Sequence, residues 1–364
     1  MIIKDVKASI VKGNFEWVLV RVETDEGIVG IGEAYQGPAV KDIILKGLKP
    51  LVLGEDPLNI EYLYQKMYRY AAGWGNIAGT VVTGISGIEI ALWDIKGKAL
   101  DSPVWMLLGG KFRDKVRVYC DSGRGKTYTP EGYRELAKKV KKLGFTAYKF
   151  DIDGAFALRD LSYFRGTPGG EWKDRFNRCL DSEEINYIVE IARNIKDELG
   201  GNLQLALDCH WSFDVNSALR LAKKLEDLPL LWLEDPMPPE NVDAMALVTR
   251  STGTPICTGE NLYTKYGFRD LIMKQATKIV APDIPKVGGL LESKKIADLA
   301  DLYYIPMAPH NVSSPVGTVA SAHVCASIPN FLVLEYHAKD VIWWDKLVKE
   351  KPVIKNGYIE LTCL

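Results

Sequence analysis

Three carboxylates recur at even intervals along the chain. Asp208, Glu234 and Glu260 are spaced 26 and 26 residues apart, and each closes a short apolar run: Leu205-Ala206-Leu207-Asp208, Leu231-Trp232-Leu233-Glu234 and Cys257-Thr258-Gly259-Glu260. One strand–helix unit of a barrel takes about that length, since eight units fill roughly 250 residues. The spacing predicts three acids at the C-terminal ends of three adjacent strands, on the face where such folds do chemistry. Carboxylates crowded together repel unless a cation joins them. Oxygen ligands with room for water and substrate suit Mg²⁺, with Mn²⁺ as the alternative. An acid after a strand can instead cap the next helix, but three at matched intervals favour the metal.

The series continues. Asp283 ends Ile279-Val280-Ala281-Pro282-Asp283, 23 residues beyond Glu260, and His310 ends Ile305-Pro306-Met307-Ala308-Pro309-His310, 27 residues further on. Adjacent strand ends bring Asp283 within reach of His310. A carboxylate that takes the imidazole proton fixes the tautomer and makes the other nitrogen a better base. Glu335, in Val333-Leu334-Glu335-Tyr336, closes the ring and could bond a substrate oxygen or pair with a cation. His210, two residues past Asp208, shares its inward direction and offers a proton donor on the side away from His310. Lys149 and Asp151 share one face of an earlier strand. Lys149 fits a contact to a substrate carboxylate, a base, or a plain salt bridge. Of the four histidines, His323 and His337 read as structural.

The elements needed to hold these residues are legible. Glu16 to Glu23 and Ile28 to Glu33 form an antiparallel pair about the turn Thr24-Asp25-Glu26-Gly27. Glycines 27, 30 and 32 read as hairpin glycines, because no helix follows them as a dinucleotide fingerprint needs. Ile85, Ile88, Ala91, Leu92, Ile95 and Ala99 recur at helical spacing. After Lys115 strand and helix alternate strictly. Thr129 and Pro130 start one helix that stops before Gly144, and Ser182, Glu183 and Glu184 start another that ends near Gly200. Eight strands and seven helices argue for an α/β chain with a barrel, the open doubly wound sheet being the runner-up. The domain reading is an α+β region over 1–115, a barrel over 116–336, and a returning tail over 337–364. A long connection, Asp153 to Asp181, carries Tyr163, Arg165 and Trp172 and reads as an excursion near the active face or a subunit contact.

Composition narrows the function classes. The 364 residues are 47% hydrophobic and 26% charged, with 46 basic and 47 acidic side chains and a formal charge of −1. Nothing in that balance favours nucleic acid or an anionic membrane as partner. No run approaches the roughly 18 apolar residues of a spanning helix, and the opening MIIKDVKASIVKG lacks a signal peptide's apolar core. Cysteines 120, 179, 209, 257, 325 and 363 are scattered, which fits buried thiols in a reducing, cytoplasmic setting.

Leu207-Asp208-Cys209-His210-Trp211, Trp232-Leu233-Glu234-Asp235-Pro236, Thr258-Gly259-Glu260-Asn261, Pro282-Asp283 and Pro309-His310-Asn311 together resemble the enolase superfamily, in its mandelate racemase-like subgroup. A histidine or lysine base beside Mg²⁺ is that superfamily's known pattern. The resemblance spans nearly the whole chain. It implies a (β/α)₇β barrel under an α+β capping domain built from the N-terminal third and the C-terminal tail. It implies Asp208, Glu234 and Glu260 as Mg²⁺ ligands, His310 with Asp283 as the base pair, and a homo-oligomer. The base takes the proton α to a carboxylate, and the metal stabilises the enediolate that results.

The reaction follows from which acids and bases are present. Cycloisomerases and dipeptide epimerases of the superfamily carry Lys-x-Lys on the second strand and a lysine on the sixth; here those positions read Lys149-Phe150-Asp151 and Asp283. His210 is similar to the acid that assists loss of the 3-hydroxyl in gluconate- and galactonate-type dehydratases. The resemblance therefore implies dehydration of a sugar acid to a 2-keto-3-deoxy acid, with Glu335 on the carboxylate. The alternative is a racemase or epimerase of a 2-hydroxy acid that uses His310 and Lys149 as opposed bases. Every acid and base position is filled, which argues against a non-catalytic relative. Specificity is assigned to loops over the barrel mouth, Asn14 to Trp17 and Ala71 to Asn76, with Arg159 or Arg165; gluconate, galactonate, mannonate and arabinonate stay open as substrates.

Overall fold

The computed structural model describes residues 1–37, 39–121, 129–152, 178–201, 203–337 and 341–361. Most of the long excursion, with Arg159 and Arg165, lies outside the described residues, as does Cys363. The chain divides into two compact units. One comprises Met1–Arg117, Glu260–Arg269 and Ala281–Leu364; the other comprises Val118–Gly259 and Asp270–Val280.

The first unit opens with β1 (Ile3–Lys12), β2 (Glu16–Thr24) and β3 (Val29–Ala34), antiparallel in that order. Val18, Val20 and Val22 turn to one face and are buried there, as a two-residue period dictates. The Thr80–Ala99 helix buries Ile85, Ile88, Ala91, Leu92 and Ile95. Its contact with β3 adds a second role for two of the hairpin glycines. Gly27 belongs to the turn, but Gly30 and Gly32 lie within β3, where an added Cβ would stand 2.0 Å from the Ala91 carbonyl oxygen and 2.2 Å from that of Gly87. These two glycines let a helix approach the strand backbone. Sequence pattern also missed a helical stretch from Val40 to Val52, whose middle, Ile43–Leu48, is π-helical.

The second unit is built on a parallel ladder: β4 (Lys115–Asp121), β5 (Ala147–Asp151), β6 (Gln204–Asp208), β7 (Leu230–Glu234), β8 (Ile256–Thr258) and β9 (Ile279–Val280). All five residues of β5 are buried, as expected of a strand covered on both faces. Between strands run Pro130–Lys142, Ser182–Leu199, Val215–Lys224 and Val242–Arg250. The Thr129 hydroxyl accepts from the Gly132 N–H. Asp181, one residue ahead of the expected start, forms a reciprocal cap with Glu184 at 2.8 and 2.9 Å.

In the first unit β10 (Leu334–His337) follows, and β11 (Tyr358–Glu360) pairs antiparallel with Lys115–Arg117. The strand expected over Ile305–His310 is reduced to a bridge from Met307 to Phe331. Backbone bonds still tie it down: Met307 donates to Asn330 at 2.8 Å and Glu335 donates to Pro309 at 3.2 Å. Pro306 and Pro309 have no N–H to give a ladder. Among the described residues no helix is long and apolar enough to cross a membrane. Cys120, Cys209, Cys257 and Cys325 are buried free thiols, and Cys179 is an exposed one.

Candidate active site

Within the second unit, parallel register sets Asp151 opposite Asp208 and Asp208 opposite Glu234, so three acids share one row at the strand ends. Asp208 and Glu234 are each 1% exposed. Neither caps a helix. Asp214 caps Val215–Lys224 and Asn241 caps Val242–Arg250. Lys149 lies between them instead, its Nζ 2.9 Å from Asp208 Oδ2, 3.0 Å from Glu234 Oε1 and 3.5 Å from Asp121 Oδ2. The other Glu234 oxygen accepts from the Trp232 indole at 2.7 Å. Burial works against the charge on Asp208, but His210 and Lys149 outweigh it and hold this carboxyl below its usual range.

His210 stands just past Asp208, and its backbone N–H donates to Asp208 Oδ1 at 2.9 Å. His210, Trp211 and Asp235 have φ of 43°, 60° and 41°, a region that costs non-glycine residues energy and persists where the surroundings enforce it. They are enforced here: Cys209 donates to Glu234 at 3.0 Å and Trp211 to Asp235 at 2.7 Å, and the Asp235 side chain accepts from Thr258. The result turns the His210 imidazole toward solvent access, 27% exposed beside a buried acid row.

The first unit holds the other group. His310 Nδ1 lies 2.6 Å from Asp283 Oδ2, its Nε2 lies 3.1 Å from Glu260 Oε2, and Glu335 Oε2 is 4.0 Å from the same nitrogen. Asp283 and Glu335 are fully buried. Burial opposes the positive charge on His310, yet Glu260, Glu335 and Asp283 together push it up to about 10. Burial likewise raises Asp283, with His310 pulling it down. Asp283 occupies the cap position of Ile284–Val287 without making the cap bond; its carboxylate serves the imidazole.

Sequence spacing missed several neighbours. Lys286, 5% exposed, reaches Asn261 Oδ1 at 2.5 Å and lies 4.6 Å above the Tyr35 ring. The Tyr35 ring is in turn 6.2 Å from that of His310. Three residues past Asp283, Lys286 carried no signal of its own. His337, read as structural, has its Nε2 3.5 Å from Glu335 Oε1. His323 accepts from the Trp105 N–H at 3.2 Å. In the expected specificity loops, Phe15 meets His337 edge-on, and Trp74 is 76% exposed.

The donor chemistry fits a divalent cation. Asp151, Asp208 and His210 have ligand atoms within 4.8 Å of one another, and an ammonium stands between the Asp208 and Glu234 carboxylates. In the other unit, three acids surround one imidazole. Buried oxygens in such excess call for a hard cation.

A domain family described as enolase C-terminal domain-like matches residues 132–362, and one described as mandelate racemase/muconate lactonizing enzyme, N-terminal domain, matches residues 7–109. A mandelate racemase/muconate lactonizing enzyme-like protein from Rubrobacter xylanophilus superimposes with a TM-score of 0.89 at 42% identity, over 99% of this chain and 93% of that one. The chain belongs to the mandelate racemase/muconate lactonizing enzyme family of the enolase superfamily, with a TIM-type barrel and an antiparallel-sheet cap. Within it the chain groups with acid sugar dehydratases, which are hydro-lyases. It is 50% identical to a D-xylonate dehydratase of Haloferax volcanii over 99% of its own length and 84% of that protein's. It is 31% identical to a D-galactonate dehydratase of Cronobacter sakazakii over 85% and 75%.

Proposed function

We propose that this protein is a Mg²⁺-dependent dehydratase that turns an aldonate into its 2-keto-3-deoxy acid, with D-xylonate as the first substrate to try. The observation that carries the reading is the His310–Asp283 pair, 2.6 Å apart, with Nε2 on the opposite edge of the ring 3.1 Å from Glu260. Asp283 holds Nδ1, so Nε2 is the atom that takes the C2 proton. Electrons from that C–H bond first pass into the substrate carboxylate, giving the enediolate, and then return to form the C2–C3 double bond as the C3–O bond breaks. His210 gives the departing hydroxyl its proton, water leaves, and the enol ketonises. Glu335 hydrogen-bonds the substrate carboxylate end. Asp208, Glu234 and Glu260 would hold the cation, which supplies positive charge beside that carboxylate as the α-proton leaves. Supporting the shared ligation, Glu234 pairs with Cys257 in parallel register, three residues before Glu260.

In this reading residues 1–115 and 337–364 form the cap and 116–336 the catalytic barrel, and the protein works as a cytoplasmic homo-oligomer. Lys149 balances the charge of Asp208 and Glu234. Its carboxylate partners favour elimination over a two-base isomerisation, which needs a lysine facing the substrate.

Incubating the protein with Mg²⁺ and a panel of aldonates in D₂O tests the proposal. A keto acid trapped by semicarbazide is expected from at least one five- or six-carbon aldonate. Recovery of C2-deuterated starting material in both configurations, with no keto acid, would identify the isomerase instead.

A further inference from the structure

The hairpin joining β1 to β2 reaches one end of the acid–base row in its own unit. The Phe15 ring meets His337 edge-on, centroids 5.4 Å apart and planes at 85°. The buried Trp17 anchors the hairpin, its indole N–H donating to the Val312 carbonyl at 3.0 Å, two residues beyond His310. Trp17 also meets Trp343 edge-on at 5.7 Å. His337 Nε2 lies 3.5 Å from one oxygen of Glu335. The other oxygen of that carboxylate accepts from the Asn311 N–H at 3.2 Å and lies 4.0 Å from His310 Nε2.

We propose that His337 is a positioning residue that fixes the plane of the Glu335 carboxylate against His310, and that Phe15 of the hairpin fixes His337 in turn. A glutamate's last torsion is broad. The Asn311 N–H restrains one oxygen by a hydrogen bond, and the His337 imidazole stands 3.5 Å from the second, where its charge and bulk bear on it. The His337 side chain is 16% exposed, and the Phe15 ring stands against its imidazole. The hairpin thereby bears on catalysis through the chain Phe15, His337, Glu335, His310. The kinetic part of this claim rests on the dehydratase reading; the placement of Glu335 does not.

Two measurements on the full chain test it. The protein has four histidines, so its imidazole ¹H–¹⁵N spectrum is small enough to assign by substitution. The His310 ring signals are expected to shift in His337→Leu and in Glu335→Gln, and the double variant should add nothing to Glu335→Gln alone. In turnover, His337→Leu is expected to lose about tenfold or more in kcat with KM little changed, the pattern of a displaced catalytic group. His337→Gln, whose amide can donate to the same oxygen, should recover most of that loss. Unshifted His310 signals in folded His337→Leu, or a kcat equal to wild type, would overturn the proposal. If His337→Leu does not fold, Phe15→Leu serves in its place, and unshifted His310 signals there have the same consequence. If the wild type dehydrates no aldonate, the dehydratase reading falls, and the spectra still decide the role of His337.

Discussion

His310 and His210 differ in what holds them, and that difference separates their tasks. His310 is buried with a carboxylate on each ring nitrogen, at 2.6 and 3.1 Å; His210 is partly exposed on a strained turn. Replacing His310 by Asn should cut turnover on the order of 10²–10⁴-fold, the usual share of a general base, and leave Mg²⁺ binding intact by calorimetry. Replacing His210 by Asn should cut keto-acid formation by a similar factor, yet leave exchange of the C2 proton with D₂O measurable by NMR. Loss of exchange in the His210 variant would mean that the two roles are reversed. His310 was legible because it ends an apolar run at the barrel's repeat length, and His210 because it stands two residues past Asp208, which ends another. His337 and Lys286 were not, because nothing in their spacing distinguishes a side chain that stands beside Glu335 or bonds Asn261 from one that only packs.

At the scale of elements, capping explains where the helices begin and why the catalytic acids are spared. Asp214 accepts from Asn216 and Ser217 N–H groups at 2.8 and 3.1 Å. Burial works to raise its carboxyl, but the Ser217 bonds prevail and hold it below its usual range. A folded-state value below the unfolded one stabilises above the ordinary carboxyl range, and that contribution fades as pH falls through the lowered value. Asp214→Ala should therefore cost about 1 kcal/mol in urea unfolding at pH 7, with a smaller difference near pH 3. An equal difference at both pH values would refute this.

A second element test lies at Gly289, whose φ is 89° and whose added Cβ would stand 2.1 Å from Glu89 Oε2. That carboxylate takes the Leu290 and Leu291 N–H groups at the start of Leu290–Asp301. Gly289→Ala should lower stability by roughly 1–3 kcal/mol from the backbone strain alone, visible as a lower thermal midpoint. Caps such as Thr129-Pro130 could be read directly from the sequence. The thinning of the strand at Ile305–His310 could have been, since Pro306 and Pro309 both stand in it. The helical run from Val40 to Val52 was masked by Gly47 and Pro50, which read as breakers, although its buried residues Val40, Ile44, Leu48 and Val52 recur every four positions.

At the scale of the molecule, regular spacing of strand-end residues made the barrel legible, while the helix over Thr80–Ala99 was legible but its close seat on Gly30 and Gly32 of β3 was not. The spacing identified the acids; it did not show that Lys149 would stand between Asp208 and Glu234. If these acids share an ion with Glu260, Mg²⁺ should stabilise the fold by mass action, about 2.7 kcal/mol at a hundredfold excess over Kd, and chelation should abolish turnover until Mg²⁺ returns. The central claim is that shared ion, and Mn²⁺ binding followed by electron paramagnetic resonance tests it most directly. One tightly bound ion per chain is expected for the wild type, lost or greatly weakened in each of Asp208→Asn, Glu234→Gln and Glu260→Gln. One ion bound with unchanged affinity in any of the three would contradict the account.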